Sequence, residues 1–435
     1  MRIFNLVTAL MLFTLLLTAC ESKSLKPVNV LFNSDSKKLA TIPAGYEVGD
    51  VIFSQDGFHV AAALKKDGKS FMDYDSTVSL PYDEVRSPVF KSDGLKFAFI
   101  AKKAGKECVV TDGKEGVYYD GVTKPLFLAD GRVAYTANKD SLWFIVVGIT
   151  ENQSFSSASA PVLFLSSDGK RLAHEELDLV TKKVRMVVSG IDFKDIVKGR
   201  EYDSLAFIRS DLSSSHLVYV VGKNRKMTVV ISDFNGPGYS EKEGGWYDAI
   251  KGFALTPDGK RLAFMAEKNG AVLLVADGKE TPTPKLDMVL NVTNSVTGIT
   301  LYSGVQKDKV VTFINGKDSG RYFETVDYMA FSVDGSHYLY VAGVAAKSNI
   351  VIDGNDGPKY DKAVAPRFSP DGKSVVYRAR NSGKRFVVTA DLQGKTVKEH
   401  SKYDAVWDTV FSPDGTSVGY GVKIGQELWW KVEKL

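Results

Sequence analysis

The sequence predicts an all-β chain, a β-propeller of about ten four-stranded repeats, and three observations carry that expectation. A Phe-x-x-Asp-Gly signature returns along the chain, with clear copies starting at Phe53, Phe90, Phe127, Phe331, Phe368 and Phe411 and a close variant at Leu255-Thr256-Pro257-Asp258-Gly259. The steps from Phe53 to Phe90, Phe90 to Phe127 and Phe331 to Phe368 are 37 residues each, a period typical of solenoids, propellers and arrays. Each unit also holds four short runs of strand formers, and the two ends of the chain look complementary. Weaker copies at Asp168-Gly169, at Asp211 with Ser213, and at Thr297-Gly298 bring the signatures to ten.

The unit spanning residues 82–121 shows the elements in order: Tyr82-Asp83-Glu84-Val85, then Ser87-Pro88-Val89-Phe90, the Asp93-Gly94 turn, a run over 95–101, and a Lys103-Ala104-Gly105-Lys106 turn. Cys108 to Thr111, an Asp112-Gly113 turn and Val117 to Tyr119 complete it. Asp-Gly between apolar runs signals a hairpin, because Gly accepts positive φ while Asp bonds back to the local backbone. Lys96-Phe97-Ala98-Phe99-Ile100 is rich in strand formers and too short for a buried helix. Equivalent second strands stand at Arg261 to Met265, Tyr338 to Val341 and Ser374 to Tyr377.

A four-stranded antiparallel unit cannot bury both faces alone, so copies pack face to face, and radial closure protects their edges. Ten signatures exceed the usual four to eight blades, leaving one wide ring or two lobes of about five. Near-uniform spacing offers no linker, which favours the single ring. Residues 28–48 carry late-strand material at Val28-Asn29-Val30-Leu31-Phe32 and Ala44-Gly45-Tyr46-Glu47-Val48, whereas the last copy stops after three strands at Leu428-Trp429-Trp430-Lys431-Val432. The N-terminal segment is therefore expected to complete the last blade.

The string Phe-Ser-Pro-Asp-Gly-Lys before an apolar strand, at Phe368 to Lys373 and nearly so at Phe411 to Gly415 and Thr256 to Lys260, resembles the TolB-type, WD-like propeller repeat from about residue 45 onward. The resemblance implies the blade and leaves the function open, since such blades serve periplasmic scaffolds, peptidase propellers and lyases. The residues ahead of the repeats do not match the α/β domain that precedes the propeller in TolB.

The N-terminus reads as a secretory signal, with Arg2 as the charged start and an apolar stretch over 6–17 that is short for a membrane span. Leu17-Thr18-Ala19-Cys20 resembles the lipobox of bacterial lipoproteins, which implies cleavage before Cys20 and its diacylation. By the same resemblance, Glu21 after the Cys favours the outer membrane, facing the periplasm. The expected division is a signal peptide at 1–19, a lipidated tether at 20–27 and propeller repeats at 28–435.

Cys108 is then the remaining thiol, so packing rather than an internal disulfide must stabilise the fold. The whole chain has 56 basic and 52 acidic side chains, a formal charge of +4, and loss of Arg2 lowers this to +3. No basic tract rises above the background, which argues against nucleic acid as a partner.

A Tyr-Asp pair recurs at Tyr82-Asp83, Tyr119-Asp120, Tyr247-Asp248, Tyr360-Asp361 and Tyr403-Asp404, each Tyr eight residues before the Phe, or Leu255, of the turn motif; Tyr202-Asp203 fits the weak fifth copy. The pairs read as a ring of ligand groups, or as ties across the blade crossings with Tyr packed on the neighbour. The structural reading is the favoured one, because a feature of every blade builds the blade.

No Gly-x-Ser-x-Gly, Cys-x-x-Cys or His-Glu-x-x-His occurs, so a serine-hydrolase mechanism or a zinc motif has no sequence support. His59, His174, His216, His337 and His400 lie far apart, and no metal or cofactor is expected. Asp353-Gly354-Asn355-Asp356-Gly357 lacks the closing Glu of a calcium loop and reads as a turn. Symmetry breaks at 150–160, 190–201 and 233–247, and long connections on a rigid scaffold carry binding groups. Candidate partner-binding residues are Trp246 with its neighbour Tyr247, Trp407, and the non-repeating charges Arg86, Lys251 and Arg367; alternatively, the Trp rings fill gaps in the core. The expected function is a lipid-anchored envelope scaffold that is not an enzyme and binds a protein or glycan partner through its loops and channel mouth. The alternatives are a glycan-acting lyase or hydrolase and a Tol-Pal-like role.

Overall fold

A computed structural model describes residue 32 and residues 35–435, apart from 158–159, 179, 212–213 and 236–237 and the side chains of 153–157. The signal peptide, Cys20, the tether, Val28 to Leu31 and Ser213 lie outside the described residues. Ten antiparallel sheets follow one another, and together they form a single ring, a ten-bladed β-propeller. Blades 1 to 9 span residues 47–78, 84–115, 121–157, 164–198, 204–243, 249–282, 288–323, 325–356 and 362–399. Within each, strands follow chain order from the first, innermost strand outward. The first strands of successive blades converge on the axis, as Ala249–Leu255 does with Met288–Asn294 and the latter with Thr325–Phe331. The first strand of blade 3 is split into Gly121–Val122 and Leu126–Phe127, both paired with Val133–Lys139.

Blade 10 takes three strands from the C-terminus, Ala405–Phe411, Ser417–Ile424 and Glu427–Lys434, and its outermost strand, Ser36–Thr41, from the N-terminus. Ser36 pairs with Lys431 and Thr41 with Glu427. The expected strand exchange is present and lies within the expected segment, at residues 36–41, between the two apolar runs singled out there. Of the two segments expected to close the ring, the one at 44–48 instead leads into Glu47–Phe53, the innermost strand of blade 1.

The first hairpin is fixed by its own side chains. In blade 9 the Ser369 hydroxyl donates to Asp371 Oδ1 (2.6 Å) and accepts from Ser374 N (3.0 Å), while Asp371 Oδ1 accepts from Lys373 N (3.1 Å). Gly372 N donates to Ser369 O (2.8 Å), and Gly372 holds φ at +70°, where a Cβ is disfavoured. The same Ser/Thr-to-Asp bond recurs at Ser166, Thr256, Ser332 and Ser412, which is why the motif was visible as a repeat.

Between blades the core is aromatic and β-branched. Phe97 and Phe99 of blade 2 pack on Met72 and Tyr74 of blade 1, with Tyr74 and Phe97 stacked 5.3 Å apart; such ring pairs add roughly 0.5–1.5 kcal/mol beyond their buried area. Inner strands bulge about three residues before the turn motif, as at Arg86/Val89, Ala206/Arg209 and Val364/Arg367. Ser87, Phe207, Tyr328 and Ala365 sit there at φ +53°, +55°, +45° and +50°. A bulge bends the strand and sharpens its twist, which re-aims side chains at the channel. At the closing seam, Phe53 of blade 1 lies against Gly421 of blade 10, so close that a Cβ on Gly421 would come 2.1 Å from the ring.

Candidate functional site

The meander puts the first and third hairpins of every blade on one face of the disc, and the second hairpins with the blade-to-blade crossings on the other. On this second face the Tyr-Asp pairs form a girdle at the entrances of six of the ten blades, 2, 3, 5, 6, 9 and 10. Tyr82 bridges backbone-to-backbone with Ser70 of blade 1, and its hydroxyl donates to Glu115 on the outermost strand of blade 2 (2.9 Å). Tyr119 with Glu151, Tyr202 with Glu243, and Tyr360 with Glu399 repeat the bond at 2.8–2.9 Å. Asp83 accepts from Lys69 Nζ of blade 1 (2.7 Å) and from Ala104 N in the second hairpin of blade 2 (2.8 Å); Lys69 holds it below the usual carboxylate range. Asp120 with Lys106, Asp203 with Lys183 and Asp248 with Lys226 do the same. These pairs are ties between blades.

The six sequence candidates are spread around the ring rather than gathered. Tyr247 is one of the girdle tyrosines, 3% exposed and edge-on to Phe264 at 5.6 Å; burial and Glu280 push its hydroxyl up to about 12. Trp246 is half-buried against the blade 4–5 core around Met186, Tyr202 and Phe234. Trp407 packs on the closing seam, 5.4 Å from Phe53. Arg86 joins blades 2 and 3, bonding Glu107 Oε2 (2.7 Å) and Val122 O (3.0 Å). Lys251 pairs with Glu267 in its own blade (2.8 Å). Arg367 is half-buried on the innermost strand of blade 9, with Arg378 nearby, whose guanidinium burial pushes down.

The histidines are also structural in setting. His59 Nδ1 lies 2.6 Å from Asp75, and His337 Nδ1 lies 2.5 Å from Asp353, each joining a first hairpin to the third hairpin of its blade. His174 is 2% exposed, and burial pushes it down to about 4. Asp353-Gly354 forms a turn, with φ +49° and +82°. Cys108 is fully buried, and burial pushes its thiol up. Among the described residues no three His, Cys, Asp or Glu side chains gather at metal-binding range. The expected symmetry-breaking stretches contain the fourth strands Thr150–Ser157, Val197–Lys198 and Ser240–Glu243.

Two features went unread in the sequence. Asp73 is 1% exposed, and neither carboxylate oxygen has a well-aligned hydrogen-bond partner; burial, then Asp75, pushes it up to about 6 against the opposing pull of the nearby Ser76 N–H. Aligning the fifth residue of each third strand would have exposed it, because Val110, Val146, Val188, Val230, Val275, Val351 and Val388 fill that place in seven of the other nine blades, Phe313 in blade 7 and Lys431 in blade 10. The second is a charge asymmetry between faces. From the penultimate residue of each second strand to the first residue of the third, the ten second hairpins hold 19 Lys or Arg against 7 Asp or Glu. By the same rule the first hairpins hold 10 against 9, and the third hairpins of blades 1–9 hold 5 against 9. A cleft of about 500 Å³ opens among the basic hairpins, lined by Glu47, Lys65, Lys66, Lys69 and Asp83 among others.

No family profile matches the sequence, and no curated protein matches it. Solved structures match in shape. The crystal structure of the eukaryotic initiation factor aligns with 85% of this chain and 92% of its own, with a TM-score of 0.50 and 8% identity. TolB from Acinetobacter baumannii aligns over 65% and 81%, with a TM-score of 0.29 and 13% identity. The β-propeller domain of the Trilobed protease from Pyrococcus furiosus aligns over 73% and 94%, at 0.32 and 15%. At 8% identity the likeness to the first of these is one of fold alone.

Proposed function

We propose that this chain is a lipid-anchored scaffold of the cell envelope, held to the outer membrane through Cys20 and binding a protein or glycan partner with its loops and channel mouth, without catalysis. The observation that supports it most is the girdle: the carboxylates and tyrosines that recur from blade to blade are bonded to neighbouring blades. A catalytic site needs at least two convergent titratable groups with perturbed affinity for protons, and these repeating groups are committed elsewhere. Non-repeating side chains on rigid inner strands, Arg86, Lys251, Arg367 and Trp407, give the channel mouth its specificity while also bonding or packing within the ring.

Two measurements test the parts separately. Cys20→Ala should move the protein from the membrane to the soluble fraction while its melting curve stays unchanged; continued sedimentation with membranes defeats the anchor. A photo-crosslinking residue in place of Lys251, followed in intact cells by mass spectrometry, should capture an envelope protein or glycan. Crosslinks confined to this chain defeat the scaffold reading.

A further inference from the structure

We infer that the face carrying the second hairpins is a docking surface for an anionic lipid bilayer. The crossing carboxylates neutralise the lysines that open the third strands, as Asp83 does Lys69 and Asp404 does Lys384. Of the other hairpin cations, Lys268 pairs with Glu280 on the fourth strand of its blade, whereas Lys65, Lys66, Lys102, Lys103, Lys139 and Arg225 make no ion pair within 4 Å among the described residues. They project from blades 1, 2, 3 and 5 in one plane, because every second hairpin ends at the same face.

Apolar side chains stand exposed among them. Val180 at 91%, Leu142 at 44% and Ile424 at 41% sit in second hairpins, while Leu80 at 69% and Val117 at 51% sit on crossings of the same face. Unpaired lysines draw a surface toward anionic headgroups within a Debye length, and aliphatic tips gain by entering the headgroup boundary. This pairing selects the bilayer over a sugar polymer. Sugar rings and nucleobases are gripped by aromatic faces, whereas the widely exposed aromatics, Phe207 and Tyr322, sit on the innermost strand of blade 5 and the outermost strand of blade 7. Docked this way, the disc lies flat and turns its more acidic face away from the lipid.

The inference rests on the membrane address proposed above but not on the anchor, so the test removes the anchor. The chain from residue 20 onward, carrying Cys20→Ser, is sedimented with vesicles of phosphatidylethanolamine and phosphatidylglycerol and, separately, with phosphatidylcholine vesicles. Binding to the anionic vesicles alone is expected, weakening steeply as salt rises. The quadruple variant Lys65→Glu, Lys66→Glu, Lys102→Glu, Lys103→Glu should bind at least roughly tenfold more weakly. Charge reversal at Lys170, Lys260 and Lys373 on the opposite face should leave binding intact, and circular dichroism checks that both variants fold. Equal binding to both vesicle types, insensitivity to the quadruple change, or binding to purified peptidoglycan sacculi without binding to vesicles would overturn the inference, and none of these outcomes touches the role of Cys20.

Discussion

Replacing Asp73 by Val should stabilise the ring at neutral pH, and by an amount that depends on pH in a defined way. The carboxyl is buried without a well-aligned hydrogen-bond partner, and burial, with Asp75, raises it from 3.8 to about 6. A raised carboxyl favours folding in its neutral form, so its contribution is intact below about pH 4 and is lost as pH climbs through about 6. At roughly 1.4 kcal/mol per unit, the penalty at pH 7.5 is about 3 kcal/mol. Unfolding entropy near 2.1 cal/mol/K per residue, over about 400 residues, converts this into a melting-temperature gain of roughly 3–4 °C. Calorimetry of the wild type and Asp73→Val between pH 4 and 7.5 reads the gain, with Asp73→Asn as the variant that cannot ionise. The gain should shrink toward the bare packing difference at pH 4. A gain that is constant across pH, or a variant less stable at pH 7.5, would refute the reasoning.

Deleting residues 36–41 should lower the melting temperature sharply and leave an open, aggregation-prone ring, because the third strand of blade 10 loses its partner; an unchanged thermal melt and a monomeric elution profile would show the closing strand to be dispensable. Gly421→Ala should cost about 1–3 kcal/mol by forcing a methyl into the Phe53 ring. The double variant with Phe53→Leu should recover part of that loss in urea titrations, and a strictly additive result would place the strain elsewhere.

Much of the fold was legible because the first hairpin writes itself into the sequence. Its Ser, Asp and Gly serve one locked turn, so they recur at fixed spacing. The signal fades outward: the fourth strands Lys114–Glu115 and Asn355–Asp356 are two residues long and solvent-exposed, and the closing strand Ser36–Thr41 offers only Leu39 and Ala40 as apolar cues. That is why residues 28–48 are legible as the closing segment while its most apolar runs, at 28–32 and 44–48, do not mark the strand itself. The charge asymmetry was hidden for a related reason. Second hairpins are separated by whole repeats, so lysines that share one face never form a run along the chain. Asp73 escaped notice because a lone carboxylate in a strand reads as solvated until its burial is known.

Lys38 meets Glu427 across 389 residues of chain. A polypeptide that emerges N-terminus first therefore carries the last piece of its own perimeter from the outset and must hold it unpaired until the C-terminal strands arrive. Any fragment cut short before Glu427 stays a broken circle with bare margins, so the seam makes completion of synthesis a condition of becoming a finished disc.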